Sequence, residues 1–283
     1  MPLRTYIDIF MSVVKQKSLN WEQYLLITIG LGFLGLVVLL PLLNIFYEAF
    51  REGIQSYWQG ITSPQARHAI MLSLIITAIA VPLNTIFGLV AAWVLARQNF
   101  QGKQLLLGII DLPLTISPVI IGLMFVLLFN PLDSVFKSLV VGLNLKILFA
   151  LPSMILVTTT ITVPFVVREV LPALENLEVD QEESAIILGA SPWQVFWRVI
   201  LPNINWAVFY GVVLCTARAL GEFGAVAVVS GKIIGTTNTL TLHIEETYSN
   251  YESIAAFGGA SLLALVTLLT IVCQEILRRF YRY

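Results

Sequence analysis

Charge is scarce in this chain. Only 12% of its 283 residues are Asp, Glu, Lys or Arg, against about 25% in an ordinary soluble domain. The net charge of −1 supplies no basic field for nucleic acid. Cysteine is nearly absent. Cys215 and Cys273 both sit inside apolar runs without metal-ligand spacing, so neither a disulfide framework nor a metal centre is expected. No cluster of His, Glu and Cys and no nucleophile–base pair points to an enzyme. A nucleotide-hydrolysing P-loop needs G-x-x-x-x-G-K-[ST]. Here Gly102-Lys103 is followed by Gln104 and Gly231-Lys232 by Ile233, so no catalytic residue is expected. Internal repeats, low-complexity tracts and a separate soluble domain are missing as well.

Apolar residues fill the space that charge leaves. They make up 58% of the chain, and the mean hydropathy is +0.87. A soluble fold of this length could not hide so much apolar surface, so the solvent is lipid. Six runs reach the roughly 20 residues that a membrane-crossing helix needs. They are Gln23–Tyr47, Ala69–Ala96, Leu105–Leu132, Ile147–Val167, Trp206–Ser230 and Ser253–Gln274. Period-2 alternation is absent, so they are helices rather than barrel strands.

Lys and Arg divide unevenly between the two sides. Arg4, Lys15, Lys17, Arg97, Lys103, Arg168, Arg198, Arg278, Arg279 and Arg282 fall on the side of the N-terminus. Arg51, Arg67, Lys137, Lys146 and Lys232 fall opposite. The bias predicts an all-α membrane protein of six transmembrane helices with both termini in the cytoplasm. Residues 1–22 read as a cytoplasmic or interfacial segment rather than a cleavable signal, because the basic residues follow the apolar ones. Residues 23–283 then form the transmembrane domain. His68 and His243 fall on the outer side and are expected to be solvated. The polar stretch Thr236–Ser253 is also outside, either a plain loop or a surface for an external partner.

Pro41, Pro82, Pro113, Pro118, Pro152 and Pro164 lie within these runs. Each removes a helix hydrogen bond and favours a kink. Small residues gather in GLVAAW (Gly88–Trp93) and AAFGGAS (Ala255–Ser261), where helices can approach closely.

The cytoplasmic loop between the fourth and fifth runs, about residues 175–204, has its own local grammar. Asp180 with Glu183 is a candidate capping box, and Glu182 and Glu183 suit a first helical turn. Gly189 offers a left-handed stop. Ser191 can cap a second helix with Pro192 at its first position and Gln194 closing another capping box. Trp193, Phe196, Trp197 and Ile200 share one helical face, and Pro202 is expected to end it. The residues alone support two readings of this pair of short helices. One is an amphipathic connector resting in the headgroups; the other is a rigid knob for a groove on another protein.

The same stretch runs Glu183-Ser184-Ala185, three residues, Gly189, nine residues, Val199, one residue, Leu201-Pro202. It resembles the signature loop of the permease subunits of ATP-binding-cassette importers, departing at Ser184 and Val199. That resemblance implies a type I ABC importer permease fold. It also implies that Glu183, Ala185, Gly189, Ala190, Ser191, Pro192, Leu201 and Pro202 couple the chain to a separate ATPase. DLPLTISPVIIGL (Asp111–Leu123), PFVVREVLPAL (Pro164–Leu174) and ARALGEFGAVAVVSG (Ala217–Gly231) are similar to the sulfate and molybdate branch. The Ser117-Pro118-Val119 and VVREVLP forms most resemble its W-type sulfate/thiosulfate subunits, and the likeness runs from about Trp21 onward. The resemblance implies a multi-pass, non-catalytic subunit of the bacterial inner membrane. Its partners would be a T-type permease subunit, two ATPase copies carrying ATP and Mg, and a periplasmic sulfate-binding protein. No cofactor is implied for this chain. Molybdate or tungstate is the alternative cargo. A secondary transporter driven by an ion gradient is the rival class, but the inverted repeats it favours are not visible.

A few charges fall inside or at the ends of the runs. Arg218 and Glu222 stand i, i+4 within the fifth. They read either as a packing pair or as a path element, Arg218 offering positive potential to a divalent anion and Glu222 holding it in place. Asp111 reads as a helix cap or a partner of Arg97 or Lys103. Arg168 and Glu169 read as interface anchors or contacts to the motor.

Overall fold

A computed structural model describes residues 21–130 and 146–281. The expected interfacial residues 1–20, and Lys137 of the outer side, lie outside the described residues. The chain divides into two compact units, residues 1–47 and 48–283.

In the first unit, helix α1 (Trp21–Leu34) passes through a π turn (Gly35–Leu39) into α2 (Leu40–Phe50), which runs on into the second unit. Leu26, Ile29, Leu31 and Phe33 are exposed, a surface suited to acyl chains. The π turn has a local cause. The Pro41 ring would clash with the carbonyl of Val37, four residues back, and the widened turn contains that carbonyl. The same device recurs at Pro202, below.

The second unit continues with α3 (Ile54–Thr62), α4 (Pro64–Arg97), α5 (Lys103–Thr115), α6 (Pro118–Phe129) and α7 (Leu151–Glu175). Then come α8 (Val179–Ile187), α9 (Pro192–Val195), a π turn (Phe196–Ile200) and α10 (Leu201–Leu220). The chain ends in α11 (Gly224–Ser230), α12 (Leu240–Ser249) and α13 (Ser253–Tyr281). No strand occurs among the described residues. Among the described residues, five helical stretches are long and apolar enough to cross a membrane, six if α5 and α6 count as one bent span.

Three of the six runs differ from expectation: the fourth is displaced from Ile147–Val167 to Leu151–Glu175, and the third and fifth depart further. The third is not one straight helix: α5 and α6 meet at 108°. Pro118 forces Ser117 out of the α region, and Ile116 is extended before it. The fifth begins earlier and ends sooner than Trp206–Ser230, covering Pro192–Leu220. Pro202 does not terminate it, because the π turn at Phe196–Ile200 accommodates the proline and Leu201 N–H reaches Phe196 O. The far end breaks at Gly221–Phe223 before the short α11.

Helix α7 is the axis of the second unit and packs against α4, α10, α6 and α11. One apolar core joins Leu95, Val166, Val170 and Leu174 to Val195 and Ile200. The π turn and α9 are thereby keyed into the bundle. A second core, with Ile76, Met154, Ile161 and Val226, fills the opposite half. At Gly88 a Cβ would stand 2.6 Å from Val166 Cγ1, so α4 and α7 touch through the absent side chain. Gly88→Ala is expected to destabilise the fold by about 1–3 kcal/mol through overpacking, read as a lower melting temperature of the purified protein.

The histidines depart from the expected solvated state. His243 is 6% exposed, and His68 is half-buried with its Nδ1 enclosed. Helix α12 folds its apolar residues Leu240 and Leu242 inward, and His243 follows them.

Candidate functional site

The stretch 175–204 hangs from the end of the bundle where α4 stops and α5 starts. Helix α8 begins at Val179 after Glu178, which makes no side-chain cap. The expected Asp180–Glu183 capping box is therefore absent, and Asp180 and Glu182 instead place their charge in the first turn, where the helix dipole favours it. Gly189 ends the helix at φ 85°, the left-handed conformation a side chain resists. Gly189 N–H donates to Ile186 O at 2.9 Å and Ala190 N–H to Ala185 O at 3.0 Å, closing the turn. Ser191 and Gln194 form the expected capping box: Ser191 N–H donates to Gln194 Oε1 at 2.8 Å, and Gln194 N–H to Ser191 Oγ at 3.4 Å. Pro192 opens the next turn.

This elbow is stiff and apolar at its tip. Ile187 is 83% exposed, Leu188 88% and Trp193 68%. Ala185 and Ala190 turn back against the main core. The anticipated single apolar face is split. Ile200 and Val195 are buried, while Trp193 and Trp197 point outward and contact each other edge to face at 5.5 Å. Glu183 and Pro202 are exposed and Leu201 half-buried.

The structure adds a pair that reading the chain in order does not suggest. Arg97, at the end of α4, donates from Nε to Glu182 Oε1 at 2.9 Å. Its Nη2 also contacts that oxygen and reaches Leu177 O at 3.4 Å. Both side chains are largely buried. Lys103 Nζ lies 3.6 Å from Glu175 Oε1, and Asn203 Nδ2 donates to Gln181 Oε1 at 3.2 Å. The elbow is thus clamped to α4 and α10. The only hint in the sequence is that Arg97, Lys103, Glu175 and Glu182 all fall on the side richer in Lys and Arg. Glu182→Gln leaves Arg97 without its counter-charge, a loss of up to about 3 kcal/mol at a mostly buried pair. Faster amide exchange across residues 179–190, with exchange in α7 unchanged, is the expected readout.

Asp111 meets neither Arg97 nor Lys103. It accepts from Arg168 Nε at 2.9 Å, tying α5 to α7.

Arg218 and Glu222 do meet. Arg218 Nη2 lies 2.8 Å from Glu222 Oε2, out of line for a hydrogen bond and so an ion contact. Glu222 Oε1 accepts from Ala225 N–H at 3.0 Å, and its backbone carbonyl accepts from Thr241 Oγ1 at 2.8 Å. The carboxylate side chain is 1% exposed, whereas that of Arg218 is 33% exposed. Glu222 thus supports the first turn of α11, and its partner guanidinium remains open to a small polar species. A buried amide that the sequence reading passed over, Asn84, donates to Thr162 Oγ1 at 2.7 Å and so ties α4 to α7. Among the described residues no group of His, Cys, Asp and Glu could hold a metal ion.

Residues 84–283 match the family described as "Binding-protein-dependent transport system inner membrane component". A Synechocystis protein named sulfate transport system permease protein CysW is 50% identical over 91% of this chain and 93% of its own length. The Escherichia coli K12 protein of the same name is 44% identical over 93% and 90%. Escherichia coli CysT, also named a sulfate transport permease, is 34% identical over 86% and 88%. A chain in the crystal structure of a bacterial alginate ABC transporter superposes with TM-score 0.76 at 19% identity, over 92% of this chain and 95% of that one. That likeness concerns the fold.

Proposed function

Because the chain belongs to the binding-protein-dependent transport system inner membrane component family, we propose that it is the W-type permease subunit of an ATP-driven sulfate/thiosulfate importer. It is a non-catalytic, multi-pass subunit of a bacterial inner membrane. Its partners are a T-type permease subunit, two copies of an ATPase that bind ATP and Mg, and an external sulfate-binding protein. The relatives at 44–50% identity carry sulfate in their names, which favours sulfate over molybdate or tungstate.

One observation carries the mechanism: an exposed apolar tip, Ile187 and Leu188, fixed by a closed turn and by the Arg97–Glu182 clamp. A floppy loop would absorb motion, whereas a clamped one passes it on. Nucleotide binding closes the ATPase pair on the elbow. The elbow moves with the cytoplasmic ends of α4 and α10, to which it is joined by Glu182 and by the continuous helix from Pro192 to Leu220. The bundle then opens outward to receive the anion. Arg218 supplies positive potential along the path. Glu222 offsets that charge, so a divalent anion is attracted without being trapped.

The test is uptake of labelled sulfate and molybdate by the complex reconstituted in vesicles with the sulfate-binding protein outside and ATP inside. Sulfate should enter only when both are present, with molybdate far slower. Uptake by the purified chain without the ATPase contradicts the reading.

A further inference from the structure

At the end of the bundle away from the elbow, a cleft of about 440 Å³ opens where α3 meets α4 and α12 meets α13. Helix α4 connects the two regions: Ser63 and Gln65, in the cleft wall, mark its start, and Arg97, in the clamp, its end. Its 34 residues span about 50 Å at 1.5 Å each. If the elbow faces the cytoplasm, the cleft faces outward.

The walls carry Glu246 and Glu252 together with Ser63, Gln65 and Asn250. None of the described lining residues is Lys or Arg. The nearby Lys232 is held by Glu245, 2.9 Å away, and Glu245 does not line the cleft. His243, the remaining titratable residue of the described lining, is buried, and its Nε2 has no hydrogen-bond partner among the described residues. Burial pushes its imidazole down, against the smaller opposing pull of Glu246 and Glu252, so it brings no positive charge at neutral pH. Among the described residues, the cleft therefore carries two negative charges and no cation in its lining.

We propose that this cleft seats a Lys or Arg side chain of the solute-binding protein as it docks on the outer face; this rests on the import reading above. The transported anion is an unsuitable occupant, because two carboxylates repel a divalent anion. A metal ion is unsuitable as well, since among the described residues no group of three or more His, Cys, Asp or Glu could hold one. A cationic side chain can pair with Glu252 and with Glu246, whose Oε2 already accepts from Asn238 Nδ2 at 2.5 Å, while the Gln65 and Asn250 oxygens can accept its remaining N–H groups. The volume admits a guanidinium with part of its stem.

The test measures binding of sulfate-loaded binding protein to the full complex in nanodiscs, over a range of salt. Wild-type affinity should fall as salt rises. The Glu246→Gln/Glu252→Gln variant should bind about tenfold more weakly, with a flatter salt dependence and an unchanged amount of bound ATPase. Equal affinity and equal salt dependence in the variant overturn the proposal while leaving the import reading intact. Should the double variant fail to assemble, Glu252→Gln alone, at an exposed position, carries the same comparison. Wild-type sulfate uptake that does not respond to the binding protein sinks the import reading itself, and the assigned occupant with it.

Discussion

Glutamate at both Ile187 and Leu188 is expected to strip the ATPase subunits from the complex and to stop ATP-driven sulfate uptake. The side chains are 83% and 88% exposed, so the substitutions leave the bundle intact. Seating each in a partner's groove contributes about 1.5–3 kcal/mol. Losing both, and forcing charge into the groove, lowers affinity by at least about a hundredfold. Co-purification with tagged ATPase, alongside vesicle uptake, gives the readout. Retained ATPase together with full uptake would contradict the assignment of the elbow as the coupling element. Gly189→Val should act in the same direction but more weakly. At φ 85° it strains the turn, by about 1–2 kcal/mol, without altering the apolar tip.

The second large effect is expected at Arg218. Removing it alone leaves the Glu222 carboxylate, 1% exposed, without a counter-charge. That is strongly destabilising for a buried pair, so Arg218→Ala confounds transport with assembly. Replacing both, Arg218→Gln with Glu222→Gln, removes the pair together and keeps the site neutral. The glutamine carbonyl at 222 can still accept from Ala225 N–H. This double variant should assemble, retain its ATPase and hydrolyse ATP, yet take up sulfate at least about tenfold more slowly. Arg218→Lys with Glu222 intact should recover part of the rate, because it restores positive potential. Unchanged uptake in the neutral double variant would make the pair a packing device only.

Much of this protein is written locally in its sequence. The capping box Ser191-Pro192-Trp193-Gln194 and the left-handed Gly189 depend on neighbours within a few residues, and the structure forms both. The close approach at Gly88 follows from small residues in an apolar run. What was not legible depended on partners far along the chain. Arg97 lies 85 residues from Glu182 and Asp111 lies 57 from Arg168, and nothing in either neighbourhood selects the partner. Pro202 illustrates a local rule overridden. A proline ordinarily stops a helix, but a π turn immediately before it shifts the offending carbonyl, and the fifth span runs through. Burial of His243 was hidden for a related reason. Its polar surroundings in sequence suggest a loop, whereas α12 folds against the outer core through Leu240 and Leu242.

The most direct test of coupling is a thiol at the elbow. Leu188→Cys places an accessible sulfur at the tip, since native Cys215 is buried and Cys273 only half-exposed. In the intact complex, a short bifunctional reagent should join this position to the ATPase subunit, with a yield that changes between ATP-bound and nucleotide-free states. A crosslink to the external binding protein instead, or none to the ATPase in either state, would contradict the account.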